Sequence, residues 1–76
     1  MQQRRKSEAD LAVDILVEKQ EAVFYRDLVT EIARRMGRAK NPVTVTSIYT
    51  RLNMDNRLVY QGEGYWFYDT NRVGGK

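Results

Sequence analysis

The sequence predicts an α+β fold, a winged helix-turn-helix in which three helices pack on a small three-stranded antiparallel sheet. Three observations predict it. Apolar residues recur at helical spacing in three separate segments, an aromatic hairpin bounded by turn residues follows them, and a short apolar run between the first two helices offers a third strand. A hairpin alone is marginal in water, whereas a third strand and a layer of helices on one face make it viable.

Ser7 opens the first helix. Ser7-Glu8-Ala9-Asp10 has the form of a capping box, with Asp in place of the longer Glu. Leu11, Ala12, Ile15 and Leu16 make one stripe, which Val13 and Val17 widen, and Asp10, Asp14, Glu18 and Glu21 fill the remaining arc. Val13 and Val17 are either buried in a three-helix core or left exposed for a partner; burial is the favoured expectation. Ala22-Val23-Phe24 is the short strand.

The second helix is expected over Arg26 to Met36, with Leu28, Val29, Ile32, Ala33 and Met36 on its apolar face. Asp27 at its start, Arg34 and Arg35 at its end and Gly37 just beyond suit the helix dipole and a glycine cap. Asn41-Pro42 has the form of an N-cap followed by proline at the first helical position. The β-branched run Val43 to Thr46 argues instead for a start nearer Thr44. Val45, Ile48, Tyr49 and Leu52 then face inward, and Thr46, Ser47, Thr50 and Arg51 outward. Arg57 to Gln61 and Tyr65 to Tyr68 read as strands joined by Gly62-Glu63-Gly64, with Leu58, Tyr60, Trp66 and Tyr68 on the core face. Residues 1–6 are expected to be a flexible basic arm, residues 7–69 the winged-helix domain and residues 70–76 a flexible, polar tail.

Composition removes most chemistry. At 76 residues the chain is a single small domain, and with no Cys and no His it has no disulfide, no thiolate and none of the usual zinc ligands. No nucleophile–base pair is evident, so no catalytic residue, metal or cofactor is expected and the protein reads as a non-enzyme. Asp10, Asp14 and Glu18 lie at i, i+4 and i+8 on one helix, but a straight helix does not wrap oxygens around a cation as a loop does. The longest apolar runs, Ala22–Tyr25 and Tyr65–Tyr68, are too short for a membrane span. A soluble, cytoplasmic module that is monomeric outside any complex is the expectation.

The net charge of +3 hides a division along the chain. Residues 7–33 set Lys19 and Arg26 against seven carboxylates, for −5, and residues 34–57 set six basic side chains against Asp55, for +5. Such asymmetry bears on partners. The acidic arc Asp10, Asp14 and Glu18, together with Phe67 on the outer side of the last strand, is a candidate surface for docking on a basic protein. Arg38, Lys40, Thr46, Ser47, Thr50, Arg51 and Arg57 are candidate nucleic-acid contacts. In a winged helix the third helix commonly enters the major groove, and hydroxyls and guanidinium groups bind phosphates. Glu63 at the hairpin tip opposes that second reading, because a wing that grips phosphate usually carries Arg or Lys.

Residues 47–68, SIYTRLNMDNRLVYQGEGYWFY, resemble the Y-T-x-L-N-x-D-x-R-hydrophobic segment and Trp-bearing strand of the bacterial RNA polymerase delta subunit family. Residues 7–33, SEADLAVDILVEKQEAVFYRDLVTEIA, look like the first two helices of the same HARE-HTH-type domain. Tyr49, Thr50, Leu52, Asn53, Asp55, Arg57 and Trp66 fall on the recognisable positions. The resemblance implies a non-catalytic accessory subunit that docks on the RNA polymerase core and promotes polymerase recycling. The alternative is a DNA-binding winged-helix regulator. Delta subunits continue into a long acidic tail that competes with nucleic acids; this sequence ends in Asn71 to Lys76, so it is either an excised domain or one whose function rests on the domain only, and the expectation of polymerase docking does not depend on which.

Overall fold

The computed structural model describes residues 6–73, and the element order is α1 (Glu8–Lys19), β1 (Val23–Phe24), α2 (Tyr25–Met36), α3 (Pro42–Met54), β2 (Leu58–Gly62) and β3 (Tyr65–Tyr68). The sheet runs β1-β3-β2 and both pairings are antiparallel. Three helices on a small three-stranded antiparallel sheet is the predicted α+β architecture, and it is compatible with a winged helix. Most of the basic arm and the last three residues of the tail lie outside the described residues.

Each helix starts and stops for a local reason. In α1 the Asp10 amide donates to Ser7 Oγ at 3.2 Å while the Ser7 amide donates to Asp10 Oδ2 at 3.1 Å, so the short Asp completes the capping box. α2 ends at Gly37 with φ +68, a left-handed conformation that costs glycine nothing. α3 begins at Pro42, earlier than the β-branched residues suggest. The Asn41 side chain accepts from the Thr44 amide at 3.0 Å, and the fixed φ of proline suits the first helical position. A cap bond and a preset φ outweigh the small rotamer cost of valine and threonine.

The core centres on Ile15, Leu16, Leu28, Val29, Ile32, Ile48 and Leu52, all fully buried, with Ala12, Val23, Leu58 and Trp66 around them. Val13 is buried and Val17 is not, so the apolar stripe of α1 is narrower than the sequence suggested. On α3, Thr44 is buried and Tyr49 is half exposed, which rotates the inward face by about one position toward the N-terminus.

The hairpin turns at Glu63 and Gly64, both with positive φ, which matches the right-handed twist of the strands it joins. Gly64 is needed twice over, since a Cβ there would lie 2.5 Å from Phe24 Cε1. Its carbonyl accepts from the Tyr25 amide at 2.7 Å, fastening β1 and the start of α2 to the wing. Leu58 faces Tyr68 and Tyr60 faces Trp66 across the ladder, as alternation predicts. Tyr60 nevertheless stays half exposed, toward the hairpin end of its strand. Past β3, the amides of Arg72 and Val73 bond to the Asp69 carbonyl, and Val73 packs on the core.

Candidate interaction surfaces

The two halves of the charge map meet inside the molecule. Glu8, on the first turn of α1, is buried, and three groups from the basic stretch converge on its carboxylate. Arg38 Nη1 donates to Oε2 at 3.1 Å, Ser47 Oγ donates to the same oxygen at 3.2 Å, and Arg51 Nε lies 3.8 Å from Oε1. Gly37 brings Arg38 there by ending α2, and the packing of α3 on α1 brings Ser47 and Arg51. Burial works against the charged form of Glu8. The backbone amide, Arg38, Ser47 and Arg51 outweigh it and hold the carboxyl below its ordinary range.

Two residues along α1, Asp10 takes Arg57. The Arg57 guanidinium is bidentate on Asp55, Nε to Oδ1 at 2.9 Å and Nη2 to Oδ2 at 2.8 Å, and its Nη2 also reaches Asp10 Oδ1 at 2.8 Å. Asp55 Oδ1 accepts from the Arg57 amide as well, an Asx turn that sets the entry into β2. The Arg57 hydrogen bond is the first reason that both carboxyls sit below their usual values; Asp55 and then Asp10 raise Arg57 in return.

Farther along, Arg35 binds Glu18 through both terminal nitrogens, at 2.8 and 3.2 Å, and donates from Nε to Glu31 at 2.8 Å. Arg34 also pairs with Glu31, whose carboxyl is pulled to about 2 by Arg34 and then Arg35. Asp14 pairs with Lys6. Every member of the acidic arc Asp10, Asp14 and Glu18 therefore has a cation of this chain against it.

The candidate nucleic-acid contacts divide in two. Arg38, Ser47, Arg51 and Arg57 turn toward the carboxylates of α1, whereas Lys40, Thr46 and Thr50 are exposed and hold no ion pair among the described residues. Phe67 is half buried, packed against the core and against Tyr68 with ring centroids 4.3 Å apart. Glu63 is exposed at the wing tip.

Sequence reasoning missed two features. The first is Glu8, which looked like an ordinary first-turn acid; the buried Ala9 and Ala12 beside it were the available signal that this part of α1 faces α3. The second is an aromatic cleft of about 430 Å³ between α3 and the wing, lined by Tyr25, Val45, Thr46, Tyr49, Tyr60 and Trp66. Tyr49 and Tyr60 meet the Trp66 ring edge-on, at 6.4 and 5.3 Å between centroids. Both tyrosines were expected in the core and instead form the rim. Among the described residues, Trp66 Nε1 is buried without a hydrogen-bond partner.

Comparison with known proteins gives one consistent likeness. The chain is 35% identical over 54 residues to a probable DNA-directed RNA polymerase subunit delta of Bacillus anthracis, and equally so to those of Bacillus thuringiensis and Bacillus cereus. This similarity supports the delta-subunit family. The aligned stretch is 68% of this chain and 31% of each relative, so the chain spans about a third of the length of the curated proteins it matches. No family model matches the chain, and no solved structure matches it significantly. Among the described residues no helix is long and apolar enough to cross a membrane.

Proposed function

We propose that the chain is a non-catalytic accessory subunit of bacterial RNA polymerase, a delta-type HARE-HTH domain that docks on the polymerase core in the cytoplasm and modulates transcription and polymerase recycling. The observation that carries this reading is the 54-residue likeness to curated delta subunits. The fold supports it, since the α3 side that a DNA reader would present has much of its charge taken up by α1. Docking would use the α1 face that bears Asp10, Asp14 and Glu18, together with Phe67. In this reading the domain is a monomer until it meets the polymerase.

The test is fluorescence anisotropy of the labelled chain titrated with core RNA polymerase at near-physiological salt, in excess duplex DNA. A saturable rise supports docking, and charge reversal at Asp14 and Glu18 should weaken it at least threefold. A flat titration ends the proposal. The alternative, a DNA-binding regulator, is favoured by the exposed Lys40, Thr46 and Thr50 on and beside α3. It requires saturable binding to duplex DNA alone, with an affinity that falls steeply as salt rises.

A further inference from the structure

Arginine and serine are among the commonest phosphate ligands in protein–DNA interfaces, and here Arg38, Ser47 and Arg51 gather around one anion that the protein itself supplies. We infer that Glu8 is a charge lock on a phosphate-binding face: its carboxylate engages the donors that a DNA phosphate would use and keeps this helix-turn-helix surface from holding a duplex.

Three observations carry the inference. Glu8 is buried, so its carboxylate cannot swing out of the way as a surface acid would. The three groups it holds come from two separate parts of the chain, the turn after α2 and the side of α3 that meets α1, and that turn and helix are the parts that approach DNA in a helix-turn-helix. Next to it, Asp10 and Asp55 hold Arg57 in the same manner at the start of the wing. An incoming phosphate would have to displace a tethered anion from its donors while itself lying against that negative charge. Tethering gives the internal anion a high effective concentration that a phosphate from solution must beat. Lys40, Thr46 and Thr50, which hold no ion pair among the described residues, are left for weak, sequence-independent contact. The lock thus turns a surface of DNA-binding design into one that leaves DNA alone, and it operates whether or not the domain docks on polymerase.

The decisive variant is Glu8→Gln. It keeps the shape of the side chain and an oxygen that can accept from Arg38 and Ser47, and it removes the charge. Binding of the whole chain to a fluorescein-labelled mixed-sequence 20-base-pair duplex is followed by anisotropy from low to near-physiological salt. Folding is checked by circular dichroism. Freeing two arginines should raise affinity at low salt about tenfold and steepen the slope of log K against log salt by up to about 1.8, roughly 0.9 for each phosphate newly neutralised. Adding Arg38→Ala and Arg51→Ala to Glu8→Gln should return both quantities to the wild-type values. A folded Glu8→Gln chain with wild-type DNA affinity overturns the lock. Arg51→Ala in the otherwise unchanged chain supplies an arm that does not depend on how Glu8→Gln folds. A change of less than twofold in DNA affinity fits the lock, and a tenfold loss shows that Arg51 was already serving phosphate and overturns it.

Discussion

Nη2 of Arg57 lies 2.8 Å from Oδ1 of Asp10, forty-seven positions away in the chain, and the same guanidinium closes a bidentate pair on Asp55. One side chain thereby ties the capping box of the first helix to the turn that launches the wing. Replacing Arg57 by Ala should cost about 1–2 kcal/mol of folding stability. That figure is discounted because the guanidinium and Asp10 are both more than a third exposed and solvent screens them. Arg57→Lys should recover less than half of the loss, since an ammonium cannot form the fork. Urea denaturation of the two variants checks this, and equal stability of Lys and Arg at position 57 would remove the fork from the explanation.

Stability should fall in acid. Glu8, Asp10 and Asp55 all have carboxyls held below their ordinary values by the partners described above, and Glu31 is held at about 2. A carboxyl depressed in the folded state contributes in full above its unfolded value and loses that contribution as pH falls through the folded value. The free energy of unfolding should therefore be level above about pH 5, where unfolded carboxyls are ionised, and should decline from about pH 4.5 toward about pH 2. With no histidine in the chain, no side chain has its ordinary pKa between pH 5 and 8. Denaturant titrations at half-unit pH steps test this; a curve that is flat down to pH 3 would contradict the pairing.

Gly64→Ala should destabilise by about 1–3 kcal/mol. The residue has φ +88, and its new Cβ would meet the Phe24 ring at 2.5 Å, so backbone strain and a clash add together. Phe24→Leu in the same chain should relieve the clash and leave the backbone part. The two substitutions should therefore be less costly together than the sum of each alone, which a double-mutant cycle in urea measures. Strict additivity would place the cost in the backbone only.

The order of elements was legible because its signals are local. Ser7 with Asp10, Gly37, and Gly62 through Gly64 each state their role within four residues. Tyr65 to Tyr68 is a short aromatic run bounded by turn residues, as a strand should be, so the sheet could be assembled before any contact was known. The charge pairs were not legible. Arg38 finds Glu8 thirty positions away, and no local rule distinguishes an arginine that awaits a phosphate from one that already has a carboxylate. The same residues that made α1 look like an acidic docking face and α3 like a basic reading face are in large part each other's counter-ions. The rims of elements misled for a related reason. Tyr60 keeps the expected alternation and yet stays half exposed near the hairpin end of its strand, while Tyr49 leaves the core because the inward face of α3 is rotated toward Thr44.

Where α3 begins is open to a direct test, because two sequence signals point to different residues. If the helix starts at Pro42, the Asn41 side chain supplies the acceptor for the Thr44 amide, and Asn41→Ala should cost about 1 kcal/mol. Asn41→Asp should be neutral or slightly stabilising, since it keeps the acceptor and places a negative charge at a helix start whose first turn has no acid. If the helix began instead at Thr44, Asn41 would lie in a loop and Ala and Asp would be equivalent there. Thermal melts of the two variants separate the cases. A gap of about 4–8 °C per kcal/mol is expected for a domain of this size, and coincident melts would move the start of the helix past the proline.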